Sequence, residues 1–170
     1  MNKTDILLRA IPLLLSVLFF SSAYGQEKKT ITYSAEESIF QKKEKTDVIK
    51  LYRNVRFEHE GAIMRCDSAY YYRKENSFEA FSNVKVNQAD TITMFCDKLF
   101  YNGTTKVLDA KGNVRFNDNK MKLTTPEITY NRETGSASYF KGGNIKDPEN
   151  KLFSKIGFTK TKVRVHPCFI

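Results

Sequence analysis

One unit of about thirty residues recurs along the chain, and that period constrains the fold more than any other feature. Residues 63–86 (IMRCDSAYYYRKENSFEAFSNVKV), 92–116 (ITMFCDKLFYNGTTKVLDAKGNVRF) and 121–145 (MKLTTPEITYNRETGSASYFKGGNI) are versions of it. Cys66-Asp67 returns as Cys96-Asp97, and Thr125-Pro126 stands at the same place in the third copy. Asn54-Val55, Asn83-Val84, Asn113-Val114 and Asn144-Ile145 keep nearly the same spacing. Such a period means one supersecondary unit stacked on itself, each copy covering an apolar face its neighbour cannot bury alone.

Within each copy, apolar residues fall on alternate positions, the mark of a strand with one buried face. Ile49, Phe78 and Leu108 correspond, as do Leu51, Ala80 and Ala110, then Val55, Val84 and Val114, then Phe57, Val86 and Phe116. Between the second and third of these sets stands Arg53, Ser82 or Gly112, each followed by Asn, a pairing that predicts a bend in mid-strand. The other strand of the unit carries Ala62, Ile92 and Met121, then Met64, Met94 and Leu123, then Cys66, Cys96 and Thr125. Beyond Asp67, Asp97 and Pro126 the apolar parity slips by one, to Ala69, Leu99 and Ile128 and then Tyr71, Tyr101 and Tyr130. A one-residue slip would turn the rest of the strand to solvent, so a bulge or sharp bend is expected at Asp67, Asp97 and Pro126. The links between strands are short and rich in Asn, Gly and Asp, which joins neighbouring strands antiparallel. Ahead of the copies, residues 31–40 read as a worn half-repeat with Tyr33, Ala35 and Phe40 facing inward, and residues 41–47 as a charged turn. The expected fold is all-β: bent antiparallel strands stacked in order into a folded sheet with two arms.

The first twenty-five residues have a basic start (Lys3, Arg9), an apolar run at 10–20 and small residues before Gln26. That is the three-part pattern of a secretory signal peptide with cleavage after Gly25. The run is short of the roughly 20 residues that a membrane crossing needs. No cysteine stands at the cleavage point, which argues against a lipoprotein. Net charge is +9 overall. In an exported chain that excess points to anionic surfaces such as lipid headgroups, or simply to solubility. Cys66, Cys96 and Cys168 are an odd set, so they cannot all pair internally. With two strands per unit, Cys66 and Cys96 lie about 9.6 Å apart, beyond disulfide reach, and are expected as buried free thiols.

Catalysis finds little support. His59 and His166 are the only histidines, and no metalloprotease, nucleophile-elbow or phosphate-loop motif occurs. Asp67 and Asp97 could form a carboxylate pair, or with Asp90 and Asp109 a calcium site. Proline at the third equivalent position favours a backbone role, with the Asp side chain capping local N–H groups at a bend. No enzyme activity, cofactor or metal is expected. The basic residues, among them Lys43, Lys45, Lys50, Arg53, Arg56, Arg65, Arg73, Lys74, Lys85 and Lys98, fall mostly on turns or on the outward parity and read as a solvated face.

The run of Asn-Val-x-Phe or Asn-Val-x-Val, a polar turn, an apolar alternation ending in Cys-Asp, then Tyr and a turn, resembles the OstA-like family. That family is related to the lipopolysaccharide-transport protein LptA and to the N-terminal domain of LptD. The resemblance covers residues 31–158, and the Cys-Asp dipeptides and tyrosine-rich strand look most like the branch from Bacteroidetes-type bacteria. It implies a V-shaped or jellyroll β-solenoid (a β-taco) over residues 26–158, with residues 159–170 a divergent tail or truncated end. It also implies a periplasmic protein, in some cases associated with the outer membrane, that bridges the envelope by stacking edge to edge with related proteins. The apolar interior would receive the acyl chains of lipid A. On that reading the lipid-facing residues are Ile49, Leu51, Met64, Phe78, Val84, Met94, Leu99, Leu108, Val114, Leu123 and Ile128. The competing expectations are a packed core at these positions, and an assembly module that pairs through its sheet edges without handling lipid.

Overall fold

The computed structural model describes residues 29–42, 47–89 and 91–160. The leader, the middle of the charged turn, Asp90, His166 and Cys168 lie outside the described residues. Twelve strands form one sheet: β1 (Thr32–Ser34), β2 (Glu37–Lys42), β3 (Asp47–His59), β4 (Ala62–Tyr72), β5 (Ser77–Gln88), β6 (Ile92–Asn102), β7 (Val107–Asn117), β8 (Lys122–Asn131), β9 (Ser136–Tyr139), β10 (Gly143–Lys146), β11 (Lys151–Ser154) and β12 (Gly157–Lys160). From β3 to β8 each strand pairs antiparallel with the next, as the short turns require. The first layer and the last two are each split into two shorter strands. β1 and β2 both pair with β3, while β8 pairs with β9 along one half and β10 along the other. β11 and β12 then close the stack on β10 and β9. Among the described residues there is no helix.

Every long strand folds over at its middle, and the corner is built from two left-handed residues facing one. Register shifts fall between Tyr52 and Val55, Phe81 and Val84, and Lys111 and Val114. The skipped residues have positive φ: Arg53 61° and Asn54 49°, Ser82 61° and Asn83 51°, Gly112 76° and Asn113 47°. The partner strand skips a single residue there, Asp67, Asp97 or Pro126. The bend is therefore where the parity slip puts it, but the additional residue sits on the Asn-containing strand. Asparagine suits the corner because its short polar side chain tolerates the left-handed region. Gly112 is needed for a second reason: a Cβ there would lie 2.4 Å from Asp97 Oδ2.

The fourth corner departs from the sequence alignment. Its left-handed residue is Gly142 (φ 79°), and Gly143, not Ile145, takes the place of Val114, because Ile145 pairs with Leu123 as Phe116 does. Asn144 is ordinary strand, so the likeness of Asn144-Ile145 to Asn113-Val114 is displaced by two residues from the true repeat.

Folding at the corners makes two arms that face each other. Arm I carries residues 55–59, 62–66, 84–88, 92–96, 114–117 and 122–125; arm II carries 47–52, 68–72, 77–81, 98–102, 107–111 and 127–131. The core lies between them as one apolar cluster. Phe57 of arm I stacks on Phe78 of arm II with ring centroids 3.9 Å apart, and Phe116 meets Tyr130 across the same gap at 5.5 Å. Burial of such side chains, about 1.5–3 kcal/mol each, is what holds the arms together. Tyr33 and Ala35 pack on this core as expected. Phe40 points to the same face but is 61% exposed, because β2 ends the stack and nothing lies beyond it among the described residues.

Candidate functional site

The interior residues expected from sequence come together. Ile49 is 7% exposed, and Leu51, Met64, Phe78, Val84, Met94, Leu99, Leu108, Val114, Leu123 and Ile128 are each 2% or less, all in the one cluster. They pack against one another, so the space between the arms is filled by side chains. Cys66 and Cys96 line it as free buried thiols on β4 and β6, with β5 between them. Burial pushes both thiols up to about 12, which leaves them protonated and inert at neutral pH.

The Asp residues at the corners are structural, by a contact other than the one expected. Asp67 Oδ2 accepts a hydrogen bond from Asn83 Nδ2 at 2.7 Å, and Asp97 Oδ2 accepts one from Asn113 Nδ2 at 2.8 Å. Each carboxylate thus ties its corner to the next strand's corner rather than capping local N–H groups. Asp109 accepts from Thr129 on the outer face of arm II. Among the described residues no cluster of His, Cys, Asp and Glu has the makings of a metal site.

Where the arms meet opposite the corners, the inner face ends in polar residues. Extending the inward parity of three strands by one step gives His59 after Phe57, Gln88 after Val86 and Asp118 after Phe116, all buried. The alternation in the sequence contains this row, but a search for apolar positions stops one residue short of it. Facing it from arm II are Tyr71, Tyr101 and Tyr130. Tyr101 OH lies 2.8 Å from His59 Nδ1, and His59 Nε2 lies 2.9 Å from the carbonyl of Lys29. A carbonyl only accepts, so Nε2 carries the proton and Nδ1 accepts from the tyrosine. Burial lowers the His59 pKa, with the Lys29 carbonyl pulling it back up, so the ring is neutral at neutral pH.

Arg132, in the turn after β8, completes a bridge across the mouth. It is 6% exposed. Its Nη1 donates to Tyr101 OH at 2.6 Å, Nε to Gln88 Oε1 at 3.1 Å, and Nη2 to the carbonyls of His59 and Glu60 at 3.2 and 3.3 Å. Lys106 beside it pairs with Glu60 at 3.0 Å, again from one arm's rim to the other's. Residues 29–31 are a second crossing: Lys29 O accepts from His59, Asn76 Oδ1 accepts from Ile31 N at 3.1 Å, and Tyr71 OH donates to Ile31 O at 3.3 Å. The open side implied by the resemblance is thus laced shut over this stretch. The repeat does not single out Arg132, because Arg73 and Gly103 hold the equivalent place in the other two copies.

Toward β12 the lacing stops. The hydroxyls of Tyr130 and Tyr139 are buried without hydrogen-bond partners. Tyr139 occupies the place of Ala110, and glycines stand opposite it where other copies have bulk: Gly143 for Val114 and Gly157 for Ile128. A Cβ on Gly157 would lie 2.3 Å from the Tyr139 ring, and one on Gly143 2.7 Å. The tyrosine fills the volume those glycines vacate and plugs this end of the interior.

Comparison with known proteins agrees with this architecture. No curated protein matches the chain. The family model described as OstA-like protein matches residues 27–167 of the 170, and the chain belongs to that family.

Proposed function

We propose that the protein carries lipopolysaccharide through the periplasm by holding the acyl chains of lipid A between its two arms. The observation that supports this best is the unbroken inner apolar face, from Ile49 and Met64 through Met94 and Leu108 to Leu123 and Ile128. A chain entering it would replace side-chain contacts of similar chemistry, and each CH₂ taken out of water contributes about 0.8 kcal/mol. Met64 and Met94 suit such an exchange, since an unbranched thioether adapts to a new neighbour. Entry requires the arms to part at the laced mouth, or the chain to slide in from an uncovered end. The reading needs no catalysis, metal or cofactor. It includes export by the leader, with Gln26 as the first residue of the periplasmic form. A photo-crosslinker at position 94 or 108 should capture lipid in cells, while Lys98, on the outer face of arm II, should not. Labelling confined to position 98 would sink the proposal.

A second reading, docking to related proteins through the sheet ends, draws on the apolar side chains exposed there. Ile39 and Phe40 are on the first edge, and Leu152, Phe153, Ile156 and Phe158 are at the last. Unpaired edges of this kind invite a further strand. Mass spectrometry of lipids extracted from the purified protein separates the two, because docking alone brings no lipid with it.

A further inference from the structure

Cross-strand register aligns the outward residues of arm I into rows, and those rows are cationic. Arg56 stands opposite Arg65, Arg65 opposite Lys85, Lys85 opposite Phe95 and Phe95 opposite Arg115, one step per strand from β3 to β7. Further along the stack Lys122 stands opposite Lys146, and Lys146 opposite Lys151. Like charges directly opposite each other destabilise a sheet. Among the described strand residues facing outward on this arm, the one carboxylate clear of the corners is Glu58, and it is taken by Arg56 at 2.8 Å. Arm II is built otherwise. There Lys50, Lys98 and Lys111 are interspersed with Glu79, Asp109 and Glu127, and Lys98 pairs with Glu79 at 3.0 Å. The basic excess of the sequence is therefore gathered on one of two otherwise equivalent faces.

We infer that the outer face of arm I docks on an anionic membrane surface, so that the protein lies with this arm against the lipid headgroups. This goes beyond lipid holding in the interior, which uses the opposite side of the same strands. Strands lie about 4.8 Å apart, so the rows extend about 34 Å along a sheet face from β3 to β11, which matches a plane of phosphates better than a single ligand. Two features favour a membrane over a nucleic acid. The Phe95 ring, the aromatic within the row, already has Lys85 Nζ 5.5 Å and the Arg115 guanidinium 5.0 Å from its centroid, so it is not free to stack on a base. At the lysine end, the recess between Lys122, Lys146 and Lys151 is bordered by Phe153, 63% exposed and on the same outward parity as Lys151, which can enter the headgroup layer while the ammonium groups meet phosphates.

The test is co-sedimentation of the exported chain with phosphatidylglycerol-containing vesicles, with pure phosphatidylcholine vesicles as reference. Binding is expected to the first and not the second, and to fade as salt is raised. A double reversal on arm I, Arg65→Glu with Arg115→Glu, should cut vesicle partitioning by about 30-fold or more, since each basic residue near such a surface contributes about fivefold and the reversal adds repulsion. The double reversal Lys50→Glu with Lys111→Glu on arm II changes net charge equally and should leave most of the binding. Circular dichroism melts confirm that both variants fold; a pair that does not is replaced by its neutral counterpart, Arg65→Gln with Arg115→Gln on arm I or Lys50→Gln with Lys111→Gln on arm II. Equal loss from both arms, no preference for the anionic vesicles, or tighter capture by single-stranded nucleic acid than by vesicles at the same salt would each overturn the proposal.

Discussion

Replacing Arg132 with methionine tests whether the bridge across the mouth holds the arms together. Methionine keeps the length of the side chain and removes all four hydrogen bonds that the guanidinium makes to Tyr101, Gln88 and the carbonyls of His59 and Glu60. Each bond to a charged donor contributes about 1.5–3 kcal/mol, and acceptors left buried keep their desolvation cost. Some of these acceptors sit at the rim, where water can reach once the arginine is gone, so the sum is reduced. The expected loss is about 3–5 kcal/mol, the range for breaking a buried charged network. For a chain of this size that lowers the melting temperature by roughly 10 °C. Urea denaturation followed by far-ultraviolet circular dichroism gives the free energy, and Arg115→Met, on the open outer face, serves as the neutral reference. Hydrogen exchange should show the amides of the turns at Gly61 and Gly103 losing protection before the corners do. A loss below about 1 kcal/mol, within the range of an ordinary surface substitution, would mean the bridge is incidental and the core alone sets the spacing of the arms.

Four further outcomes follow from the same interior. The native pKa of His59 lies below its unfolded value of 6.5, chiefly through burial. The unfolded chain therefore takes up the proton first, so stability is full above 6.5 and is lost as pH falls through the lowered native value; the melting temperature should drop over that interval, and drop less in His59→Gln. With Cys168 replaced by serine, Cys66 and Cys96 should resist alkylation at pH 8 in the native protein and react fully in denaturant, because burial raises both to about 12; rapid native labelling would contradict that burial. Tyr130→Phe removes a buried hydroxyl that has no partner and should be neutral or slightly stabilising in thermal melts. Tyr101→Phe strands both His59 and Arg132 and should cost about 1–3 kcal/mol.

The period and the parity of the apolar residues are properties of the sequence, and they determine the strand order, the inward positions and the level of the bend. Local steric preference is enough for this: alternation puts Met64, Met94 and Leu123 on one face whatever lies opposite, and only a bend can keep Leu99 and Ile128 on that same face after Asp97 and Pro126. Three matters depended on what faces what. The additional corner residue lies on Arg53-Asn54, Ser82-Asn83 and Gly112-Asn113 because pairing across strands, not parity along one, counts residues at a bulge. The fourth corner falls at Gly142 because Tyr139 needs the space that Gly143 and Gly157 leave, a packing constraint that cannot be seen from either segment alone. The bridge of His59, Gln88, Tyr101 and Arg132 joins residues 31 to 73 positions apart, and it forms only because the arms fold over and bring two rims together. The same folding separates the charges: a single list of basic residues becomes a cationic face on arm I and a mixed one on arm II, because register decides which side chains share a row.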